Sequence, residues 1–353
     1  MTSLGNSDVF FVGSMPASTP DEAFRVCADT VGEMVFALPD GEVGIRRMWI
    51  AALGESTWGQ HPEIERTDVD HPFSHNFGSF RVKDGVKSID LVGHLPYAEP
   101  TLAAYAALRD LREEGVLAPD VRIQVAFPTA HAATGGYFRD VDDWDVLWPA
   151  WNKAVRAEID KILEVVPASD LAVQLDYCTE FIEMNGDDLK DAWPYDFPKT
   201  TEEKFQLFTS PDYIAPLAEG LASETLLGYH ICMGTYPRQP LSPINDMSLV
   251  VRVSNALVEA TPRRVDFFHM PVMADADDKF FEPLRGLAIG DAKVFLGLET
   301  GDDDAGIRAR ISSAEKSLKG FGISHFCGYG RETDESFLGR LAVLREGAKA
   351  LSH

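Results

Sequence analysis

His230, Cys232 and Cys327 carry the donor atoms that suit a soft divalent metal ion. His230 and Cys232 are separated by one residue in the apolar run LLGYHIC (226–232). Side chains at i and i+2 of a strand point to the same face, so this imidazole and thiol reach toward one point. Cys327, in the run SHFCGYGR (324–331), would complete a Cys2His set. Such a set suits a catalytic zinc site, where three protein donors leave a fourth position exchangeable. Thiolate and imidazole also favour zinc over magnesium or calcium. Taken singly, each cysteine reads better as a small buried hydrophobe and the histidine as a core residue; their joint placement at two strand ends reverses that and favours the metal.

The chemistry follows from charge. A free thiol, with pKa near 8.5, is mostly protonated at neutral pH. Zinc coordination deprotonates it and leaves it nucleophilic, ready to attack an electrophilic alkyl carbon. Water in the open position would instead favour hydrolysis or lyase chemistry.

Other polar groups also stand at the ends of apolar runs. His269 and Glu299 are candidates for fourth ligand or proton donor. Ser14, Asp40, Glu42, Thr129 and Arg331 are candidates for substrate contact. In LPDGEVGIRRMWI (38–50), Arg46 and Arg47 would clamp a substrate carboxylate, or else pair internally with Asp40 or Glu42. Cys178, two residues beyond Asp176 and on its face, reads as core packing, with a second role at the site as the lesser alternative. His61, His71 and His75 read as solvated loop residues rather than a second metal site, and Asp302-Asp303-Asp304 as a solvated loop opening a helix.

These positions imply a scaffold. Eight apolar runs recur: 8–16, 34–42, 122–129, 171–178, 226–232, 265–271, 293–300 and 324–331. Helical periodicity fills much of the space between them, at 100–115, 148–166, 250–260 and 305–322, the last with Gly320 and Gly322 as its stop. Apolar strands alternating with helices predict a parallel sheet covered on both faces, and eight units predict a single (β/α)8 TIM barrel over 1–353. A doubly wound open sheet is the lesser alternative, since no GxGxxG follows the first strand. Long segments after the second strand (52–99) and the fourth (179–212) read as insertions, either forming a lid or pocket wall or making plain surface excursions.

Charge narrows the partners. Lys and Arg number 32 against 56 Asp and Glu, a net charge of −24. That field disfavours nucleic acid and anionic membrane surfaces. No run reaches the ~20 apolar residues of a membrane span. The N-terminus lacks a secretory pattern, so a cytoplasmic location is expected. Four scattered cysteines do not form a disulfide framework.

Four segments resemble the catalytic domain of cobalamin-independent methionine synthase. GYHICMG (228–234) is similar to that family's His-x-Cys zinc segment, and SHFCGYGR (324–331) to the Asn-Pro-Asp-Cys-Gly segment bearing its last cysteine. FVGSMP (11–16) resembles the Val-Gly-Ser-(Leu/Met)-Pro start of its barrels, and QLDY (174–177) its Gln-(Ile/Val/Leu)-Asp-Glu strand end. Uroporphyrinogen decarboxylase and the epoxyalkane:coenzyme M transferases share the wider barrel superfamily, and the transferases share the His-x-Cys…Cys signature. The resemblance implies one catalytic barrel without the family's extra N-terminal one, Zn2+ on His230, Cys232 and Cys327, and Asp176 where the amino group of the thiol substrate is held.

Two positions depart from the pattern. His269 stands for the family's glutamate ligand, and Glu299 for its catalytic histidine. Tyr177 replaces an acid, so the thiol need not be homocysteine. The expectation is a zinc-dependent methyl or alkyl transferase acting between a small-molecule donor and a thiol, with room for a homo-oligomer. The alternatives are a decarboxylase or zinc lyase using Asp40, His269 and Arg46 on a carboxylated small molecule, and a zinc-bearing binding protein without turnover.

Overall fold

Eight short strands pair side by side, all parallel: β1 (Val9–Phe10), β2 (Ala37–Pro39), β5 (Arg122–Pro128), β6 (Leu171–Tyr177), β7 (Leu226–Ile231), β8 (Phe267–Pro271), β9 (Lys293–Glu299) and β10 (Gly322–His325). This computed structural model describes residues 4, 7–67, 78–186, 197–234, 240–301 and 303–351. The strands follow the order β1-β10-β9-β8-β7-β6-β5-β2. A parallel bridge between Val9 and Val35 brings the two ends of that row together. The result is a (β/α)8 barrel, as the alternation of apolar runs and helices implies.

Helices Pro20–Val31, Ala98–Glu113, Trp144–Leu163, Ser248–Ala260 and Asp304–Ala314 lie between strands and Asp334–Ala348 follows β10, and their apolar faces join the outward strand residues in one large core. The antiparallel pair β3 (Ile64–Thr67) and β4 (Ser79–Val82) lies between β2 and β5. Helices Thr179–Asn185 and Thr201–Phe208 follow β6.

The sequence reading overshoots in one place. The helix expected over 305–322 ends at Ala314, and Gly322 opens β10. A Cβ on Gly322 would sit 2.5 Å from the Phe295 ring, so this glycine serves close packing rather than a helix stop. Asp303 does open the helix, its carboxylate accepting from the Ala305 and Gly306 N–H groups. His61 is buried rather than solvated: Nε2–H donates to the Asp90 carbonyl (3.1 Å), and Nδ1 accepts from Glu63 N–H (3.3 Å). His71, His75 and Asp302 lie outside the described residues. Among the described residues, no helix is long and apolar enough to cross a membrane.

Phe10, Phe36, Phe267 and Phe295 form an aromatic plug, with ring centroids 5.1–5.9 Å apart. His269 stacks on Phe10 at 5.8 Å, which sets the polar site directly above the plug. Gly228 of β7 makes space for the plug, because a Cβ there would lie 2.3 Å from the Phe267 ring. Gly228→Ala should therefore destabilise the barrel by about 1–3 kcal/mol through overpacking. A lower urea midpoint at unchanged m-value would register it; an unchanged midpoint would show that the plug yields.

Candidate metal centre

Strand β7 projects Gly228, His230 and Cys232 to one side, as the period of two requires. Cys327 follows β10 by two residues, in a turn held by His325, whose Nδ1–H donates to the Cys327 carbonyl (2.6 Å). One donor atom from each of His230, Cys232 and Cys327 lies within 4.8 Å of the others. Cys327 Sγ is 4.0 Å from His230 Nε2, and Cys232 Sγ accepts from Gly234 N–H at 3.4 Å.

The orientation of His230 is set from behind. His269 Nε2–H donates to the His325 carbonyl at 3.0 Å. Burial lowers the pKa of His269 to about 3, so its ring is neutral and Nδ1 has only a lone pair. His230 Nδ1, 2.7 Å away, must then be the donor. Its Nε2 is left as a lone pair facing the thiols, the tautomer a metal ligand needs.

The thiols carry the complementary strain. The neighbouring Cys178 thiol and burial raise the pKa of Cys232. Cys232 and burial do the same for Cys327. Crowded protonated thiols beside an unprotonated ring nitrogen lack a shared positive charge. A tetrahedral zinc ion, with bonds of about 2.3 Å to sulfur and 2.0 Å to nitrogen, needs its donors about 3.5 Å apart. The observed spacing contracts to that by small rotamer changes, so the residues fit the ion.

The centre opens on a cavity of about 160 Å³, enough for a small molecule rather than one water. Ser14, Glu42, Arg47, Asp176 and Arg331 line it together with His230, Cys232 and Cys327. Met48, Trp49, Ile182 and Leu241 supply apolar wall. Asp176 and Glu42 are both buried. Desolvation raises the pKa of each, helped by Cys327 in both cases. Gln174 Nε2–H donates to Asp176 Oδ1 at 2.6 Å. Among the described residues, Glu42 (φ 43) and Trp49 (φ 45) are the two non-glycines with left-handed backbone. Strain of this kind is held in place by surrounding structure and clusters at binding sites.

Ser14 closes another side. A Cβ on Gly328 or Gly330 would come within 2.6 or 2.7 Å of Ser14 Oγ, so only glycine lets the turn after β10 approach. Arg47 ties that turn down, Nε donating to the Gly330 carbonyl (3.0 Å) and Nη2 to that of Glu332 (3.1 Å).

Five expected site residues lie off the cavity. Arg46 Nη1 pairs with Asp40 Oδ2 at 2.7 Å, so both serve an internal ion pair rather than a substrate clamp. The Thr129 hydroxyl bonds the Asp176 carbonyl (3.1 Å) and Glu180 Oε1 (2.5 Å). Glu299 Oε1 accepts from Gly301 N–H (2.7 Å) and Arg340 Nη1 (3.1 Å), which uses it as an anchor for the turn beyond β9 rather than a proton donor. His269 backs His230 and spends both ring nitrogens doing so. Cys178, read from its i+2 spacing to Asp176 as core packing or a second functional group, lines the cavity beside Cys232 and packs on Ile182 and Leu241. Trp49 and Met48 carried no such signal.

A parallel (β/α)8 barrel with an imidazole–dithiol cluster at the C-terminal ends of its strands is the class this chain defines. Its fold is that of cobalamin-independent methionine synthase-like structures. One is a B12-independent methionine synthase from Shewanella sp. W3-18-1, solved in complex with selenomethionine, with a TM-score of 0.60 over 98% of this chain and 97% of that one, at 14% identity. Another is a putative vitamin-B12-independent methionine synthase from Listeria monocytogenes, with a TM-score of 0.54 over 95% and 87% of the two chains, at 18% identity. No family model and no curated protein matches the sequence.

Proposed function

We propose that this barrel is a zinc-dependent transferase that moves a methyl or other alkyl group between a small-molecule donor and a thiol. The observation that carries the reading is the convergence of His230, Cys232 and Cys327 within 4.8 Å at a cavity, with the His230 lone pair fixed toward the thiols. Zinc held there would keep an incoming thiol as its thiolate at neutral pH, and so as a nucleophile. The fold of methionine synthase-like structures supports the same reaction class.

The chain's own groups divide the remaining work. Asp176 already accepts the Gln174 N–H, which favours its ionised form once a substrate cation arrives. A thiol bearing an ammonium group fits that role. Glu42, its pKa raised by burial, is the proton donor. As the C–S bond forms and the bond from carbon to the leaving atom breaks, Glu42 gives that atom its proton. Ser14 and Arg331 line the same space. Met48, Trp49, Ile182 and Leu241 give the alkyl group an apolar wall.

The decarboxylase alternative asks Asp40, His269 and Arg46 to meet a substrate carboxylate, but Arg46 is paired with Asp40 and His269 is spent on His230. Treatment with a chelator should abolish thiol-dependent alkyl transfer, and added zinc should restore it. Full turnover in metal-stripped protein would exclude the reading.

A further inference from the structure

We propose that Cys178 is a fourth protein ligand of this centre, making it Cys3His before substrate binds, and that it gives up its place to the incoming thiol. The inference rests on the metal reading above. Register carries it. Asp176 stands opposite His230, Tyr177 opposite Ile231, and Cys232 N–H donates to the Tyr177 carbonyl at 3.1 Å. The next residue, Cys178, is thereby set beside Cys232, and its thiol helps push the pKa of Cys232 up. Cys232 in turn contacts Cys327, and Cys327 is 4.0 Å from His230 Nε2. His230, Cys232 and Cys327 offer donor atoms within 4.8 Å of one another; Cys178 stands outside that group but on the same cavity wall, so its side chain must swing inward to complete a tetrahedral shell.

Asp176 of β6, which shares the cavity, accepts from Gln174, and the polar strand ends of β8 and β9 are engaged elsewhere. His269 on β8 uses both ring nitrogens on His230 and the His325 carbonyl, and Glu299 on β9 is engaged by Gly301 and Arg340. Cys178 also has somewhere to go: it is partly exposed to the cavity and packs against Ile182 and Leu241, an apolar niche for a neutral thiol. The exchange balances without a redox partner. The entering thiol loses its S–H proton, the departing Cys178 thiolate takes it, and one metal–sulfur bond replaces another.

A metal-edge spectrum of the full-length protein loaded with zinc alone should show three sulfurs and one nitrogen. Cys178→Ser and Cys178→Ala should each show two sulfurs with zinc still bound. Adding 2-aminoethaneselenol to the unmodified protein should bring one selenium into the shell while the sulfur count falls from three to two. Two sulfurs in the unmodified protein, or three retained in both variants, overturn the ligand assignment while leaving the metal reading intact. Selenium absent, or present beside three sulfurs, overturns the exchange. No zinc in the unmodified protein overturns this inference and the proposed function together.

Discussion

Cys232→Ser should cut zinc affinity by more than about 100-fold and take alkyl transfer to background. Removing a group that merely orients a ligand costs about 10- to 100-fold in metal affinity, and Cys232 is placed as a ligand in contact with both Cys178 and Cys327. Serine keeps the volume but offers a hydroxyl, a far weaker donor to zinc than a thiolate. The fold should survive, because Cys232 packs at the top of the barrel, away from the phenylalanine plug. Elemental analysis of the purified variant, with chelator competition for affinity, reads the loss. Cys27 supplies the control: it is fully buried, 3.7 Å from Met15 Sδ, and does not line the cavity. Cys27→Ala should cost core stability while leaving about one zinc per chain. Equal zinc content in Cys232→Ser would remove this residue from the centre.

The barrel was legible because its strands are buried on both faces and read as apolar runs with polar ends. The His230/Cys232 pair was legible because a period of two is the strand's own geometry. What the sequence hid depends on long side chains and on partners far along the chain. Nothing local tells whether Arg46 reaches outward to a ligand or back to Asp40. Glu299 stands at a strand end like any catalytic acid, but Arg340, 41 residues on, claims it. Cys178 looks like core filler until the β6–β7 register sets it beside Cys232. Gly322 looks like a helix stop until the Phe295 ring is found where its side chain would be. His269 occupies the strand end where the resemblance puts an acidic ligand, and only its two hydrogen bonds show that it orients His230 instead.

That orienting role gives the second large effect. His269→Leu should weaken zinc binding by about 10- to 100-fold, whereas His269→Gln should retain most of it. The carboxamide of Gln can accept from His230 Nδ1–H and donate to the His325 carbonyl, repeating both bonds of the imidazole. Leucine fills the space but leaves His230 free to move its proton to Nε2, where the metal must bind. Nitrogen chemical shifts of His230 should report Nδ1–H in the unmodified and Gln proteins and a tautomer mixture in the Leu variant; a merely structural His269 would leave that ratio unchanged. Acid adds a separate readout on metal-free protein. Unfolded His269 and His325 take up protons below pH ~6.5, while burial holds the folded groups neutral down to about 3. The unfolded chain therefore binds more protons across that window, and stability falls as pH is lowered through it. Burial lowers the pKa of His230 as well, so His269→Leu should remove one of three contributions of the same sign, flattening the dependence of the urea midpoint on pH between about 6 and 4. An unchanged slope, or zinc affinity equal to that of the unmodified protein, would show that His230 is aligned by something other than the ring behind it.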